Sequence, residues 1–193
     1  MDCRLQPGDA LLVADVQNDF LPGGALGIRG GDEIVAPLNR WMARFSQAGL
    51  PVFVTRDWHP PDHCSFHAQG GLWPPHCVAG TAGAEFAPAL ALPAASRLIA
   101  KATRPESEAY SAFMGTDLDT QLRDARVQRL FVGGLATDYC VLNTVRDALQ
   151  LGYGVMLLRD AVRAVDVRPG DGTRAIDAML AAGAVAVRGA DDA

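Results

Sequence analysis

Apolar residues follow two periodicities along the chain. Short continuous apolar runs predict strands that are covered on both faces. These runs are residues 10–16, 51–56, 97–101, 130–133, 155–158 and 185–187.

Between these runs, apolar residues recur at the three- and four-residue spacing of helices. The clearest case is 33–48, where Ile34, Leu38, Trp41, Met42 and Phe45 share one face and Gly49 follows as a stop. Proline fits poorly inside a helix, so Pro37 predicts that the first turn of this helix is late or distorted. Further helices are predicted at 118–125, with Asp117 as cap, 138–151 and 173–182.

Strands that alternate with helices predict right-handed crossovers. We therefore expect an α/β fold of three layers, α/β/α, around a six-stranded parallel sheet. Residues 1–193 are interpreted as one domain. The connection at about 57–96 is long and rich in Pro, Gly and His, and loops of that length are usually functional or disordered. Its aromatic residues favour a functional loop.

Composition narrows the function classes. Of the 193 residues, 49% are hydrophobic and the net charge is −5, which argues against a nucleic-acid partner. No apolar run is long enough to span a bilayer, so no membrane partner is expected. Residues 1–8 lack the pattern of a signal peptide, and a cytoplasmic protein is expected. The four cysteines, Cys3, Cys64, Cys77 and Cys140, form no CxxC pair.

Chemically useful side chains stand where the predicted strands end. Asp15, Asp57 and Lys101 end the first three strands, and Cys140 follows a glycine-rich turn after the fourth. The carboxyl ends of parallel strands lie at one edge of the sheet, where active sites of such folds collect. These four side chains can therefore converge.

Each of these residues allows a structural and a catalytic interpretation. Asp15 either caps the following turn or is a buried general base. Lys101 is either a surface lysine or a buried cation that holds a carboxylate and a thiolate together. Cys140 is either a buried structural cysteine or a nucleophile, whose thiolate a helix start would stabilise. No histidine stands at a comparable strand end, so Asp15 is the base that fits this nucleophile.

The long connection carries the ligand types of a divalent metal site. Asp57 and His59 fall on one side of an extended segment, and His76 lies seventeen residues further on. Three such ligands leave positions open for catalysis. Solvated loop histidines are the structural alternative, and Cys64 and Cys77 could form a rival zinc site with the histidines. His63 can be a further ligand or a partner of one, and Ser65 is undecided in the same way.

Taken together, these segments resemble the nicotinamidase/pyrazinamidase family of isochorismatase-like cysteine hydrolases, over nearly the whole chain. The motifs that carry the resemblance are 15–20 (DVQNDF) with 22–26 (PGGAL), 57–60 (DWHP) with His63, Ser65 and Phe66, 73–81 (WPPHCVAGT), Lys101 with 110–113 (YSAF), and 134–141 (GLATDYCV).

The resemblance implies a role for each matching residue. It implies a catalytic triad of Asp15, Lys101 and Cys140 and metal ligands Asp57, His59 and His76. It implies an oxyanion hole from the backbone N–H groups of Ala136 and Cys140, with a cis peptide bond before Ala136. It also implies a substrate pocket lined by Phe20, Trp73 and Tyr110. Two positions depart from the family pattern. Ala102 stands where glycine often follows the lysine, and Glu108-Ala109 replaces Asp-Ser.

The activity that the resemblance implies is hydrolysis of nicotinamide to nicotinic acid and ammonia, and of pyrazinamide, through a Cys thioester in NAD salvage. It also implies one divalent metal ion, zinc in preference to iron or manganese, and it allows a homo-oligomer. Alternatives are another amidohydrolase that uses a metal-bound hydroxide, an isochorismatase-type hydrolase, and a non-catalytic binding module.

Overall fold

A computed structural model describes residues 4–187 and 189. All six predicted strands are present. They are β1 (Asp9–Ala14), β2 (Val52–Asp57), β3 (Arg97–Lys101), β4 (Arg129–Leu135), β5 (Gly154–Arg163) and β6 (Val185–Val187). The four predicted helices are also present. They are α1 (Val35–Gln47), α2 (Leu118–Asp124), α3 (Leu142–Gln150) and α4 (Asp171–Ala181).

The strands form one sheet in the order β3-β2-β1-β4-β5-β6, and every neighbouring pair is parallel. The strand order reverses between β1 and β4. In open parallel sheets such a reversal opens a crevice at the carboxyl ends of the two strands, which is where ligands bind. The segments after β1 and β4 carry Asp15 and Cys140, so the topology places both residues at this crevice.

Helices cover both faces of the sheet, which confirms the three-layer fold. Leu11 and Val13 of β1 pack in one core cluster with the apolar face of α1. Leu12, between them, points to the opposite face and packs in a second cluster with residues of α2, α3 and α4. This alternation follows from the two-residue period of a strand. Both faces of the strand are therefore covered, and its apolar run is continuous rather than alternating.

Helix α1 begins later than its apolar pattern predicts. A short 3₁₀ turn, Gly31–Ile34, precedes the α-helix, and Pro37 is the third α-helical residue. In a first turn the backbone N–H groups have no partner within the helix, so proline costs no hydrogen bond there. Asp117 does precede α2, but its carboxylate makes no capping bond and accepts instead from the Gln121 amide at 3.0 Å.

Two further differences from the predictions lie at the carboxyl-end edge of the sheet. Strand β1 ends at Ala14 rather than at Val16, because Asp15 has a left-handed backbone with φ 48°. The segment predicted as the start of one long helix is a π-helical turn, Thr137–Val141, which precedes α3. Cys140 therefore lies in a wide turn of a kind that is frequent at functional sites. Within the described part of the chain, no helix is long and apolar enough to cross a membrane.

Candidate active site

The structure brings Asp15, Lys101 and Cys140 together in a buried cluster. Lys101 Nζ lies 3.1 Å from Asp15 Oδ2 and 3.5 Å from Cys140 Sγ. Asp57 joins the same ammonium group through Oδ1 at 2.5 Å. A carboxylate oxygen of each aspartate and the cysteine sulfur lie within 4.8 Å of one another. The cluster thus holds one cation, two carboxyl groups and one thiol away from solvent.

The position of Asp15 is set by its neighbour on β2. Thr55 Oγ1 donates to Asp15 Oδ1 at 2.6 Å, and the Thr55 carbonyl accepts from the Asp15 amide at 3.2 Å. These bonds hold the aspartate in its left-handed conformation, which is uncommon outside glycine and costs on the order of 1–3 kcal/mol. Thr55 was not singled out from the sequence. Its signal is the two-residue period of a strand, which puts it on the same face as Asp57.

Burial makes Asp15 a stronger base than a free carboxylate. Desolvation raises its pKa, and the charge of Lys101 offsets only part of that increase. The pKa of Asp57 is lowered, because Lys101 and the neighbouring histidines outweigh the burial that alone would raise it. The pKa of Lys101 is raised by both carboxylates, against the lowering effect of burial, so its ammonium group stays charged.

The thiol of Cys140 differs from the sequence-based expectation of a stabilised thiolate. Burial raises its pKa well above the ordinary value, Lys101 lowers it in part, and the charge of Asp15 raises it again. The neutral thiol is therefore the resting form. A base with raised proton affinity next to a thiol that must lose its proton is a pairing suited to general-base activation of a nucleophile.

The three predicted metal ligands converge beside this cluster. Asp57, His59 and His76 are buried and offer ligand atoms that lie within 4.8 Å of one another. The Nδ1 atom of His59 bonds to the His76 carbonyl at 2.9 Å, and that of His76 bonds to the Pro74 carbonyl at 2.8 Å. A carbonyl can only accept, so each Nδ1 carries the proton and each Nε2 keeps a lone pair.

This donor set fits a divalent ion. Metal-bound histidines usually donate their other ring N–H to a carbonyl or carboxylate, as both histidines do here. Burial lowers the pKa of His59 to about 4, which keeps its ring neutral, as metal binding requires. Among the described residues, the groups with ligand spacing include neither Cys64 nor Cys77, so the rival cysteine–histidine site is not formed. Cys3 lies outside the described residues.

Gln17 joins the segment that carries Asp15 to Asp57, and it was not singled out from the sequence as a site residue. Its amide oxygen accepts from the Asp57 backbone N–H, and its amide nitrogen donates to the carbonyls of Asp57 and Ala84, each at 2.8 Å. A buried amide with three satisfied hydrogen bonds fixes the chain on both sides of it. Gln17 therefore fixes the backbone of Asp57 and joins it to the loop at Ala84.

An aromatic pocket opens onto Cys140. Its lining residues are Phe20, Leu26, Asp57, Trp73, His76, Tyr110, Ala136, Tyr139, Cys140 and Val165. The Trp73 indole N–H donates to the Tyr110 hydroxyl at 3.0 Å, and the Tyr139 ring lies 5.0 Å from that of Trp73. All three pocket residues expected from the sequence are present. Leu26, Tyr139 and Val165 were missed, because apolar pocket residues look like core residues in a sequence.

The turn before Cys140 requires glycine. At Gly134 φ is 122°, and a Cβ atom there would lie 2.1 Å from the Ala14 carbonyl oxygen. Strands β1 and β4 can therefore approach closely where the crevice begins. The peptide bond between Leu135 and Ala136 is cis, as the resemblance implies.

Comparisons with known proteins agree with this geometry. The model of the isochorismatase domain matches residues 9–191. The chain is 41% identical to a nicotinamidase of Escherichia coli, over 92% of this chain and 93% of that protein. It is 37% identical to a nicotinamidase/pyrazinamidase of Mycobacterium tuberculosis, over 81% and 87% of the two chains.

Solved structures show the same relationship. A pyrazinamidase of Pyrococcus horikoshii in complex with zinc superposes with a TM-score of 0.90 at 47% identity, over 94% of this chain and 99% of that one. A protein of L. infantum, PnC1, in complex with nicotinate superposes with a TM-score of 0.86 at 35% identity, over 94% and 93%. The chain therefore belongs to the isochorismatase family, among its nicotinamidase/pyrazinamidase hydrolases.

Proposed function

We propose that this chain hydrolyses nicotinamide to nicotinic acid and ammonia, and pyrazinamide in the same way, as a step of NAD salvage. One observation carries the proposal above the others. The thiol of Cys140 lies beside the buried carboxyl group of Asp15 and the buried ammonium group of Lys101, at the crevice between β1 and β4, and an aromatic pocket opens onto it. Family membership supports the same reaction class.

The first half of the reaction is acyl transfer to the enzyme. Asp15 accepts the thiol proton, and Cys140 Sγ attacks the carboxamide carbon. The backbone N–H groups of Ala136 and Cys140 donate to the oxyanion that forms. Asp15 then returns the proton to the departing nitrogen, the carbon–nitrogen bond breaks, and ammonia leaves a thioester on Cys140.

The second half is hydrolysis of the thioester. Asp15 accepts a proton from a water molecule, and the resulting hydroxide attacks the thioester carbon. The carbon–sulfur bond breaks, the proton returns to Cys140, and the acid is released. Lys101 stays charged throughout and keeps Asp15 and Cys140 in contact, so its role is positioning and charge balance.

Asp57, His59 and His76 would hold a divalent ion, for which zinc is our proposal. When bound, the ion would supply a Lewis-acid site that takes the pyridine ring nitrogen and fixes the ring. The protein's part in orientation is the aromatic wall. Phe20, Trp73 and Tyr110 line the pocket, and aromatic side chains suit a flat heteroaromatic ring.

The test is ammonia release from nicotinamide by the zinc-loaded enzyme, measured beside turnover of isochorismate. Rapid quenching followed by mass spectrometry of the intact protein should reveal the nicotinoyl group on Cys140. Turnover of isochorismate without release of ammonia from nicotinamide would refute the proposal. Amidase activity that survives in Cys140→Ala would favour the metal-hydroxide alternative.

A further inference from the structure

His63 lies against the proposed metal centre, yet its hydrogen bonds differ from those of His59 and His76. The ring is fully buried, and its centroid lies 4.3 Å from that of His59. Ligand atoms of His59, His63 and Glu108 lie within 4.8 Å of one another, so distance alone would allow His63 to bind a metal. Its hydrogen bonds decide whether a lone pair is available.

The partners of His63 fix its tautomer. The Ser65 backbone N–H, which can only donate, points at Nδ1 from 3.3 Å, and the Ser65 hydroxyl lies 2.7 Å from the same atom. Nδ1 must therefore be the unprotonated nitrogen. Nε2 lies 3.1 Å from the Ser107 carbonyl, which can only accept, so Nε2 carries the proton. Both ring nitrogens are occupied, whereas His59 and His76 each keep a lone pair on Nε2.

The hydrogen bond to Ser107 joins two separate parts of the site. His63 belongs to the loop that carries His59. Ser107 belongs to the exposed segment that leads to Ala109 and Tyr110. The Ala109 carbonyl accepts from Lys101 Nζ at 3.0 Å, and the Tyr110 hydroxyl accepts from Trp73 in the pocket wall. A second bond, from the Cys64 amide to the Pro105 carbonyl at 2.7 Å, runs alongside.

We propose that His63 is a positioning residue and not a metal ligand, and that its Nε2–H holds segment 105–110, and with it Tyr110, against the metal loop. The proposal deepens the proposed function and rests on it for the identity of the substrate. Without the hydrogen bond from His63 to Ser107, segment 105–110 loses a contact with the loop that carries His59, while the three proposed metal ligands keep their own contacts. Substrate binding should therefore weaken, while the metal shell and the chemical step change little.

The test compares His63→Ala with His59→Ala, which removes a proposed ligand, and with His67→Ala, which removes an exposed histidine of the same loop. The zinc content per chain is measured by inductively coupled plasma mass spectrometry after gel filtration. The visible absorption of the cobalt-loaded protein reports the ligand set. His63→Ala should match wild type in both measurements, and His59→Ala should lose the metal. Loss of zinc or a changed cobalt spectrum in His63→Ala would show that His63 is a ligand.

Kinetics test the positioning role. In His63→Ala the KM for nicotinamide and the Kd for nicotinate should rise roughly tenfold or more, with kcat within about threefold of wild type. His63→Gln keeps a side-chain donor for the Ser107 carbonyl and should recover most of the affinity. If the alanine variant fails to fold, His63→Leu, which fills the space but cannot donate, takes its place and should show the same rise. Unchanged nicotinate affinity in the alanine or leucine variant would overturn the proposal.

The two proposals can fail separately. The proposed function is judged on wild-type turnover alone. The role of His63 is judged on differences between variants in zinc content and in nicotinate affinity, neither of which needs turnover.

Discussion

The two ends of strand β1 each carry a buried aspartate, and the protein compensates the two in different ways. Asp9, at the amino end, accepts two hydrogen bonds from the Arg129 guanidinium, each 2.7 Å long, and one from the backbone N–H of Gln6. Asp15, just beyond the carboxyl end, shares the single ammonium group of Lys101 with Asp57 and lies near a thiol.

The difference separates a structural carboxylate from a reactive one. A carboxylate matched by a bidentate arginine has a full counter-charge and two charge-assisted hydrogen bonds. Asp15 shares the ammonium group of Lys101 with Asp57 and is buried from solvent, and this burial raises its pKa. The same strand therefore supplies stability at one end and proton affinity at the other. Substitutions at the reactive end should therefore change the rate, and substitutions at the structural end should change the stability.

Cys140→Ala should abolish turnover, with kcat lower by roughly 10⁴-fold or more, because the thioester can no longer form. The fold and the bound metal should be unchanged, since the thiol is neutral and ligates nothing in the proposed site. Steady-state ammonia release and zinc content are the measurements. Cys64→Ala, at a half-buried free cysteine, is the matched control and should keep wild-type activity.

Asp15→Ala and Lys101→Ala should each lower kcat by roughly 10³-fold or more, and the double variant should lose little beyond either single one. Residues that act as a unit are not additive, because the first substitution already disables the other. A double-mutant cycle on kcat/KM measures the coupling. Losses that simply multiply would mean that the carboxylate and the ammonium group serve separate roles.

Benzamide should be hydrolysed at least ~100-fold less efficiently than nicotinamide by the zinc-loaded enzyme, equivalent to about 2.7 kcal/mol. Benzamide has the same reacting group but no ring nitrogen, so it loses the contact that would orient the ring. Treatment with a chelator, or His59→Ala, should remove most of this discrimination, and His67→Ala should keep it. Equal kcat/KM for the two amides would rule out ring coordination.

Asp9→Asn and Asp15→Asn should separate stability from activity. Asp9→Asn replaces the carboxylate that accepts two hydrogen bonds from Arg129 by a neutral amide. Because that arginine is one-fifth exposed, we expect the free energy of unfolding to fall by about 2 kcal/mol, less than for a fully buried pair. Its Tm should fall by about 4–8 °C with activity retained. Asp15→Asn should lose activity and keep or raise its Tm.

The stability effect at Asp15 has a defined pH dependence. A carboxyl group whose pKa is raised on folding binds its proton more tightly in the folded state. Its ionised form therefore costs folding free energy once the pH exceeds the unfolded pKa of about 3.9. The stability of Asp15→Asn relative to wild type should thus increase from about pH 4 to pH 7. Urea unfolding of the metal-free proteins measures it, and a difference that shrinks as the pH rises would contradict the raised pKa.

Ala102→Gly should give the smallest effect, an increase of about 0.5–1 kcal/mol in the free energy of unfolding, measured by urea denaturation. Ala102 follows Lys101 with φ 53°, a left-handed conformation that costs a residue with a Cβ about 1–2 kcal/mol. Glycine removes that cost but is freer in the unfolded chain by about 0.5–1 kcal/mol. Ala182→Gly, at an exposed position with φ −77°, is the control and should only destabilise. At the amino end of β1 the chain already uses a glycine, Gly8, for its left-handed position.

The sequence by itself determined the layered fold and the four converging strand ends. Strand and helix periodicities are local, and a parallel sheet places all carboxyl ends at one edge, so Asp15, Asp57, Lys101 and Cys140 needed no coordinates to be grouped. The histidines of the long loop and the family motifs added His59 and His76. The exact ends of the helices and the π-helical turn at Cys140 were not predicted, because helix ends and turns depend on tertiary contacts that a local pattern does not encode.

Only the tertiary structure decided how these groups share protons and charge. Lys101 pairs with two carboxylates, burial raises the pKa of the thiol rather than lowering it, and Thr55 and Gln17 hold the two aspartates. The hydrogen bonds of three similar histidines leave a free lone pair on two of them, whereas the lone pair of His63, on Nδ1, already accepts from Ser65. Residue type fixes what a group can donate or accept, but desolvation and the partner at each atom depend on distances between segments far apart in the chain.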